Sequence, residues 1–258
     1  WAIGETPVEL LTENGIVRGV LSLGSKHVSN ESPAGDLKDG KGLTWDRMWV
    51  DCKLSPNELK QCDIGPGTRV VIARHRKNIW EIENYLCGYN LDCRVGLAII
   101  FEVGQQLLFN TPDQDVYLIA SEREEIGGHG ASFALANLPA ETAIAVDIAP
   151  IAAEYGTKNS DRPILIEKDS RGVYHAATNK HLISLAQKEG FEVQSAVVTS
   201  YGSDSSIAQA SGHVGRSCLV GYPGDNTHGY EICSKEAIVN VTQLVTVFTH
   251  NPLSNLTS

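Results

Sequence analysis

The 258-residue chain predicts an α/β fold, a mixed and largely parallel sheet sandwiched by helices, preceded by a small β-rich domain. Three observations lead there. Between Val8 and Ala73 the apolar runs are short and separated by Gly, Pro and Asn. From about Tyr85 onward, helix-period segments alternate with short buried runs. Several of those runs end in a carboxylate, at the sheet edge where α/β folds place their chemistry. The expected division is a β-rich domain over residues 1–82 and an α/β domain over 83–258, and a hydrophobic content of 42% suits one sizeable core or two modest ones.

In the first domain, Val8 to Thr12 and Ile16 to Leu23 flank Asn14-Gly15 and predict a β-hairpin. Trp49-Val-Asp51 reads as a further strand. Ser55-Pro56-Asn57-Glu58 places Ser at an N-cap, Pro at the first helical position and Glu where it closes a capping box, so a short helix follows. Gly65-Pro-Gly67 then turns into the strand Arg69 to Ala73. The segment Lys26 to Gly42, rich in Ser, Gly, Asp and Lys, reads as a mobile loop.

In the second domain, Gly96 to Leu108 predicts an apolar helix, Val116 to Ala120 a strand, Ala131 to Leu138 a helix and Ala143 to Val146 a strand. Asn179 to Lys188 is amphipathic and closed by Gly190. Val193 to Thr199 and Ser217 to Val220 read as strands, with a short helix near Ser205 to Ala210 between them. Ser234 caps a closing helix that runs towards Phe248.

A formal charge of −10 and a pI near 5.2 argue against nucleic-acid binding, because no Lys/Arg cluster outweighs the acidic field. The one basic run, Arg74-His-Arg-Lys77, reads as a solvated face. Cys52, Cys62, Cys87, Cys93, Cys218 and Cys233 form no Cys-x-x-Cys pair and read as reduced, buried thiols of an intracellular protein. Asn30, Asn240 and Asn255 open glycosylation-like triplets that need a secretory route, and no signal peptide or membrane span is visible. The expected location is cytoplasmic, with no membrane partner. The chain opens at Trp1 and holds a single methionine, Met48, so it is expected to be a processed or incomplete version of a longer product.

The stretch Ser121-Glu-Arg-Glu-Glu-Ile-Gly-Gly-His-Gly-Ala131 organises the second domain. It would follow a buried strand and lead through glycines into a helix, which sets Glu124 and Glu125 at the carboxyl edge of the sheet. One of the pair can hold a metal while the other moves a proton. The blander alternative is a solvated acidic turn with Arg123 as partner. Asp92, just before the first long helix, is a candidate metal ligand or a plain helix N-cap. Asp147 ends an apolar run. His228 sits in a loop after Cys218-Leu-Val-Gly-Tyr-Pro, as a ligand or as a surface residue. Three acidic residues and an imidazole are the hard and borderline donors that a divalent metal pair uses.

Taken in order, Leu-Asp92-Cys-Arg94, Glu124-Glu125-Ile-Gly-Gly-His129-Gly-Ala, Val-Asp147, Gly202-Ser-Asp204-Ser and Thr-His228-Gly-Tyr-Glu231 resemble the motifs of the TET-type, glutamyl-aminopeptidase-like dinuclear metallo-aminopeptidases. The resemblance covers nearly the whole chain. It implies a hydrolase-like catalytic domain and a PDZ-like or barrel β-rich domain that mediates subunit contacts in a homo-oligomer, from dimer to dodecamer. It implies two divalent cations, Zn or Co. Asp92 would bridge them, Glu125 and His228 would hold one, Asp147 would hold the other, and Glu124 would be the general base. Asp204, Arg94 and His129 would support the site or touch substrate, although Asp204 reads equally as a turn residue.

Three positions depart from the family pattern. Cys93 stands where an acidic or amide residue is usual, His129 stands where Arg is common, and the loop before His228 lacks an Arg-Tyr pair. The family also draws a further metal-binding His from a strand preceding the β-rich domain, upstream of Trp1. The expected function is removal of N-terminal residues from short peptides. The rivals are a related two-metal deacylase or carboxypeptidase, and a catalytically incomplete scaffold. A glycosidase is a poor fit, because its carboxylates must face each other across a sugar.

Overall fold

The computed structural model describes residues 5–25, 40, 42 and 44–253. The chain divides into two compact units, residues 1–79 and 80–258. The expected mobile loop of Lys26 to Gly42 falls almost wholly outside the described residues.

In the smaller unit, β1 (Thr6–Thr12) and β2 (Gly15–Ser22) pair antiparallel with Thr12 opposite Gly15. The turn is therefore Glu13-Asn14, and Gly15 takes up the left-handed φ of +128° that closes it. With β3 (Trp49–Asp51) and β4 (Arg69–Ile72) the sheet order is β3-β2-β1-β4. Helix α1 (Pro56–Gln61) starts on the predicted capping box: Ser55 Oγ accepts from Glu58 N–H while the Glu58 carboxylate accepts from Ser55 N–H. Alternate residues of the hairpin, Val8, Leu10 and Leu21, form the unit's small core.

The larger unit runs β5 (Trp80–Ile82), β6 (Tyr85–Tyr89), α2 (Leu91–Phe109), α3 (His129–Asn137), β7 (Thr142–Pro150), β8 (Ile164–Lys168), α4 (Ala176–Lys188), β9 (Gln194–Val197), α5 (Asp204–Ala210), β10 (Arg216–Asp225), β11 (Tyr230–Ser234) and α6 (Lys235–His250). The sheet order is β5-β6-β11-β10-β8-β9, with β7 against β10. Strand β10 is the hub and is buried along nearly its whole length. Strand β7 shows the layering. Its Ile144, Val146 and Ile148 join the core built with α2, α4 and α6, while Ala143 packs with Leu135 and Ala208 of α3 and α5.

The sheet is mixed, but it is not largely parallel. Among the described residues four pairings are antiparallel (β5-β6, β6-β11, β11-β10, β10-β8) and two are parallel (β10-β7, β8-β9). Link length decides this, because a parallel neighbour needs a long crossover. Only Glu83-Asn84 separates β5 from β6, and only Asn226 to Gly229 separates β10 from β11. A second correction concerns Val116 to Ala120, which carries the composition of a strand yet is assigned to none. A strand exists through its ladder, and no described residue pairs with this run. The cysteines are all free, but Cys52, Cys62 and Cys93 are only half-buried, in contrast to Cys87, Cys218 and Cys233. Among the described residues no helix is long and apolar enough to cross a membrane.

Candidate metal centre

Four segments of the larger unit deliver the carboxylates and the imidazole. The first is the β6–α2 junction. Asn90 adopts a left-handed φ of 57°, Asp92 and Cys93 keep non-helical angles, and regular helix begins beyond them. The Asp92–Cys93 peptide is cis. Tyr222 on β10 fixes this corner by donating its hydroxyl to Leu91 O at 2.9 Å and to Cys93 Sγ at 3.5 Å, while Cys93 Sγ donates to Val146 O at 3.3 Å.

The second segment is the glycine turn after the unpaired apolar run. Gly127 N–H and Gly128 N–H both donate to Glu124 O at 3.0 Å, and Gly130 N–H donates to Glu122 O at 3.1 Å. These bonds wind the chain tightly under Glu124 and Glu125. Gly128 has a φ of +63° at the N-cap of α3. Gly130 approaches the backbone of Glu122 so closely that an added Cβ would lie 2.6 Å from its carbonyl oxygen. The third segment is β7, which carries Asp147; one of its carboxylate oxygens accepts from Ile148 N–H at 2.8 Å. The fourth is the β10–β11 turn, where His228 has a φ of 64°.

Ligating atoms of Asp92, Glu125 and His228 lie within 4.8 Å of one another, and so do those of Asp92, Cys93 and Asp147. Asp92 belongs to both groups. His228 Nε2 is 3.3 Å from Asp92 Oδ2 and 3.5 Å from Glu125 Oε2. Burial is the first cause that pushes the Asp92 carboxyl up to about 6, with Glu125 and Glu231 adding repulsion and His228 opposing. Asp147 is raised well above the carboxylate range, by burial and then by Asp92 and Glu124. Glu124 reaches about 7, through burial and the charges of Asp204, Glu125 and Asp92. These are carboxylates short of positive charge. Oxygen donors with one imidazole are the set that a divalent cation takes, so the residues present fit such an ion.

Glu231, to which the sequence reading gave no role, underlies two of these positions. It is only 1% exposed, and its carboxylate accepts from Asp92 N–H at 2.9 Å and from His228 N–H at 3.0 Å. The available signal was a lone acid inside the otherwise strand-like Tyr230-Glu-Ile-Cys233. Cys93 and Tyr222 were likewise not foreseen as the brace of the Asp92 corner. Asp204, at the start of α5, accepts a short hydrogen bond from Ser121 Oγ, while its Oδ1 is buried with no partner. Arg94 turns back onto the chain, donating to Asn90 O at 2.9 Å and to Tyr89 O at 2.8 Å. His129 is exposed at the first turn of α3 and packs over Gly127. The structure therefore gathers Asp92, Glu124, Glu125, Asp147 and His228, sets Asp204 close by, and leaves Arg94 and His129 in other company.

An α/β sheet whose neighbouring segments converge carboxylates and an imidazole offers a donor set that suits divalent cations. The description of the M42 glutamyl aminopeptidase family matches residues 1–244, and the chain belongs to that family. Among its relatives is YhfE of Bacillus subtilis (strain 168), 29% identical over 175 residues, which make up 66% of this chain and 49% of that one. The chain thus spans about half the length of this curated relative. Among solved structures, a TET aminopeptidase from the marine sediment archaeon Thaumarchaeota archaeon SCGC AB-539-E09 superposes with a TM-score of 0.85 at 18% identity, over 96% of this chain and 70% of that one. The Pyrococcus horikoshii TET1 peptidase, which can assemble into a tetrahedron or a large octahedral shell, superposes with a TM-score of 0.78 at 21% identity, over 95% of this chain and 71% of that one.

Proposed function

We propose that the chain belongs to a metal-dependent aminopeptidase that removes N-terminal residues from short peptides. The observation that carries this is Asp92, shared between two groups of close donor atoms, with Glu124 beside them. In this reading Asp92, Glu125, His228 and Asp147 would hold two divalent cations, zinc or cobalt, with Asp92 shared, Glu125 and His228 serving one and Asp147 the other. When bound, such ions supply Lewis-acid polarisation of the scissile carbonyl and acidify water. Glu124 accepts a proton from the attacking water and delivers it to the leaving amine, a role suited to a carboxyl whose affinity for protons lies near neutrality. Asp204, which lines the same cavity, would support the site or touch substrate.

The protein forms a homo-oligomer, a reading supported by the assembly of the Pyrococcus horikoshii TET1 peptidase, and the smaller unit is proposed to make the subunit contacts. The protein works in the cytoplasm. The test is Glu124→Gln with an aminoacyl p-nitroanilide: metal content stays and turnover is lost. Unchanged turnover removes Glu124 from the chemistry. Equal turnover of the free-amine peptide and its acetylated form refutes an aminopeptidase.

A further inference from the structure

A buried hydrogen-bond chain outside the metal site leads back to it. Asp169, in the loop after β8, is wholly buried. One of its carboxylate oxygens accepts from the N–H groups of Arg171 at 2.7 Å and Gly172 at 3.1 Å, and the other accepts from the Tyr174 hydroxyl at 2.7 Å. Tyr174 is itself only 2% exposed, and its oxygen lies 2.8 Å from Ser203 Oγ. A phenol has one proton. Tyr174 gives that proton to the carboxylate, so the Ser203 hydroxyl is the donor to Tyr174. Ser203 is the buried N-cap of α5: its Oγ accepts from Ser206 N–H at 3.3 Å, and its own N–H donates to Ser206 Oγ at 3.1 Å. The next residue, Asp204, accepts from Ser121 Oγ. Bonded contacts therefore run from Asp169 through Tyr174 to the start of α5, and from there to the residue that opens the Glu124 turn.

The bonds of Gly127, Gly128 and Gly130 fix the shape of that turn from within. Its place is set by what it rests against, and α5 is one such support. A Cβ at Gly128 would lie 2.8 Å from Ile207 Cδ1 and 3.2 Å from Asp204 Oδ1, and Ala208 of α5 packs with Leu135 of α3. α5 has only 7 residues, and so short a helix keeps its position through tertiary contacts rather than its own propensity. Ser205 Oγ ties it to β10 by donating to Cys218 O at 2.9 Å, and the Tyr174–Ser203 bond holds its first residue. Without the Tyr174 hydroxyl, a buried oxygen of Asp169 loses its donor and Ser203 loses its acceptor, so the start of α5 is freed to shift. A shift of about 1 Å in a proton-transferring group can cost about a hundredfold in rate.

We infer that Tyr174 is a positioning residue: backed by Asp169, it holds the Ser203–Asp204 end of α5 against the Glu124 turn and so sets where Glu124 stands. The inference rests on the aminopeptidase reading for its effect on rate, while its effect on structure is read separately. Tyr174→Phe keeps the ring and removes only the hydroxyl. In the zinc-loaded protein it is expected to lower kcat for an aminoacyl p-nitroanilide by at least about tenfold and to leave KM within about twofold. Ser121→Ala acts on the same line of contacts, so the double variant should lose no more than about twofold beyond the worse single one, whereas independent effects would multiply. Val241→Ala, a core change on α6, controls for lost stability: it should lower the melting temperature and keep kcat within about twofold. Hydrogen exchange followed by mass spectrometry needs no turnover. Tyr174→Phe should speed exchange in both 121–130 and 203–207 by at least about fivefold and leave 216–222 of β10 unchanged. Should Tyr174→Phe not fold, Ser203→Ala, which spares the bond between Tyr174 and Asp169, carries the same comparisons. Unchanged exchange in 121–130, exchange that rises equally in 216–222, or kcat losses that multiply in the double variant overturn the inference. A wild type without aminopeptidase turnover sinks the aminopeptidase reading instead, and the exchange pattern alone then decides whether Tyr174 holds the turn.

Discussion

Stripping divalent cations with a chelator and then raising the pH from about 4 to about 7.5 is expected to destabilise the larger unit, with Asp92, Asp147 and Glu124 all contributing. Its carboxyl rises from 3.8 to about 6 on folding, with a side chain only 12% exposed. The native state holds a proton that the unfolded chain has released. Stability from this group is therefore fully present below 3.8 and is lost as the pH climbs through about 6. A gap of about two pH units is worth on the order of 3 kcal/mol. For a unit of this length that is roughly 6–12 °C in melting temperature. Asp147 acts in the same direction. The assay is differential scanning fluorimetry of the metal-free wild type and of Asp92→Asn across this range. The two should coincide near pH 4, and the variant should be the more stable by about 3 kcal/mol near pH 7.5. Added zinc should reverse the order at the higher pH, because only the wild type can trade its repelling carboxylates for a cation. A metal-free wild type that keeps pace with Asp92→Asn at every pH would refute the placement of Asp92 among uncompensated carboxylates.

Two further outcomes follow from the same geometry. Glu124, pushed up to about 7, must be ionised to accept a proton, so kcat/KM for an aminoacyl p-nitroanilide should fall by about tenfold per pH unit on the acid side. A bound cation shifts that limb to lower pH, and a pH profile locates it; a flat acid side contradicts the role. Glu231→Gln keeps the shape but loses the charged acceptor for the N–H groups of Asp92 and His228. It should cost about 1.5–3 kcal/mol in denaturant titration and weaken zinc binding by about 10–100-fold in isothermal calorimetry.

How much of this was legible in the sequence varied with the range of the forces involved. The Ser55 capping box and the helix capped by Ser234 are fixed by neighbours within four residues and stand where local chemistry put them, while the hairpin turn falls one residue before the expected Asn14-Gly15, at Glu13-Asn14. The carboxylates Asp92, Glu124, Glu125 and Asp147 were readable because each closes or opens an apolar run. Their convergence with His228 came from a motif order, not from any local signal. Sheet direction was misjudged because the runs from Tyr85 to Tyr89 and Tyr230 to Ser234 mix polar and aromatic residues and were not read as strands, although they supply the antiparallel side of the sheet. Glu231 was missed for a related reason: its worth lies in two backbone N–H groups, one of them 139 residues away. Val116 to Ala120 shows the converse, a strand-like composition that cannot become a strand without a partner.

The metal content of the dialysed protein, measured by inductively coupled plasma mass spectrometry after zinc loading, tests the proposed centre most directly. The wild type and Glu124→Gln should retain tightly bound zinc in equal amount, and Asp92→Asn should retain almost none. Full zinc retention by Asp92→Asn, or none in the wild type, would contradict a metal centre built on Asp92.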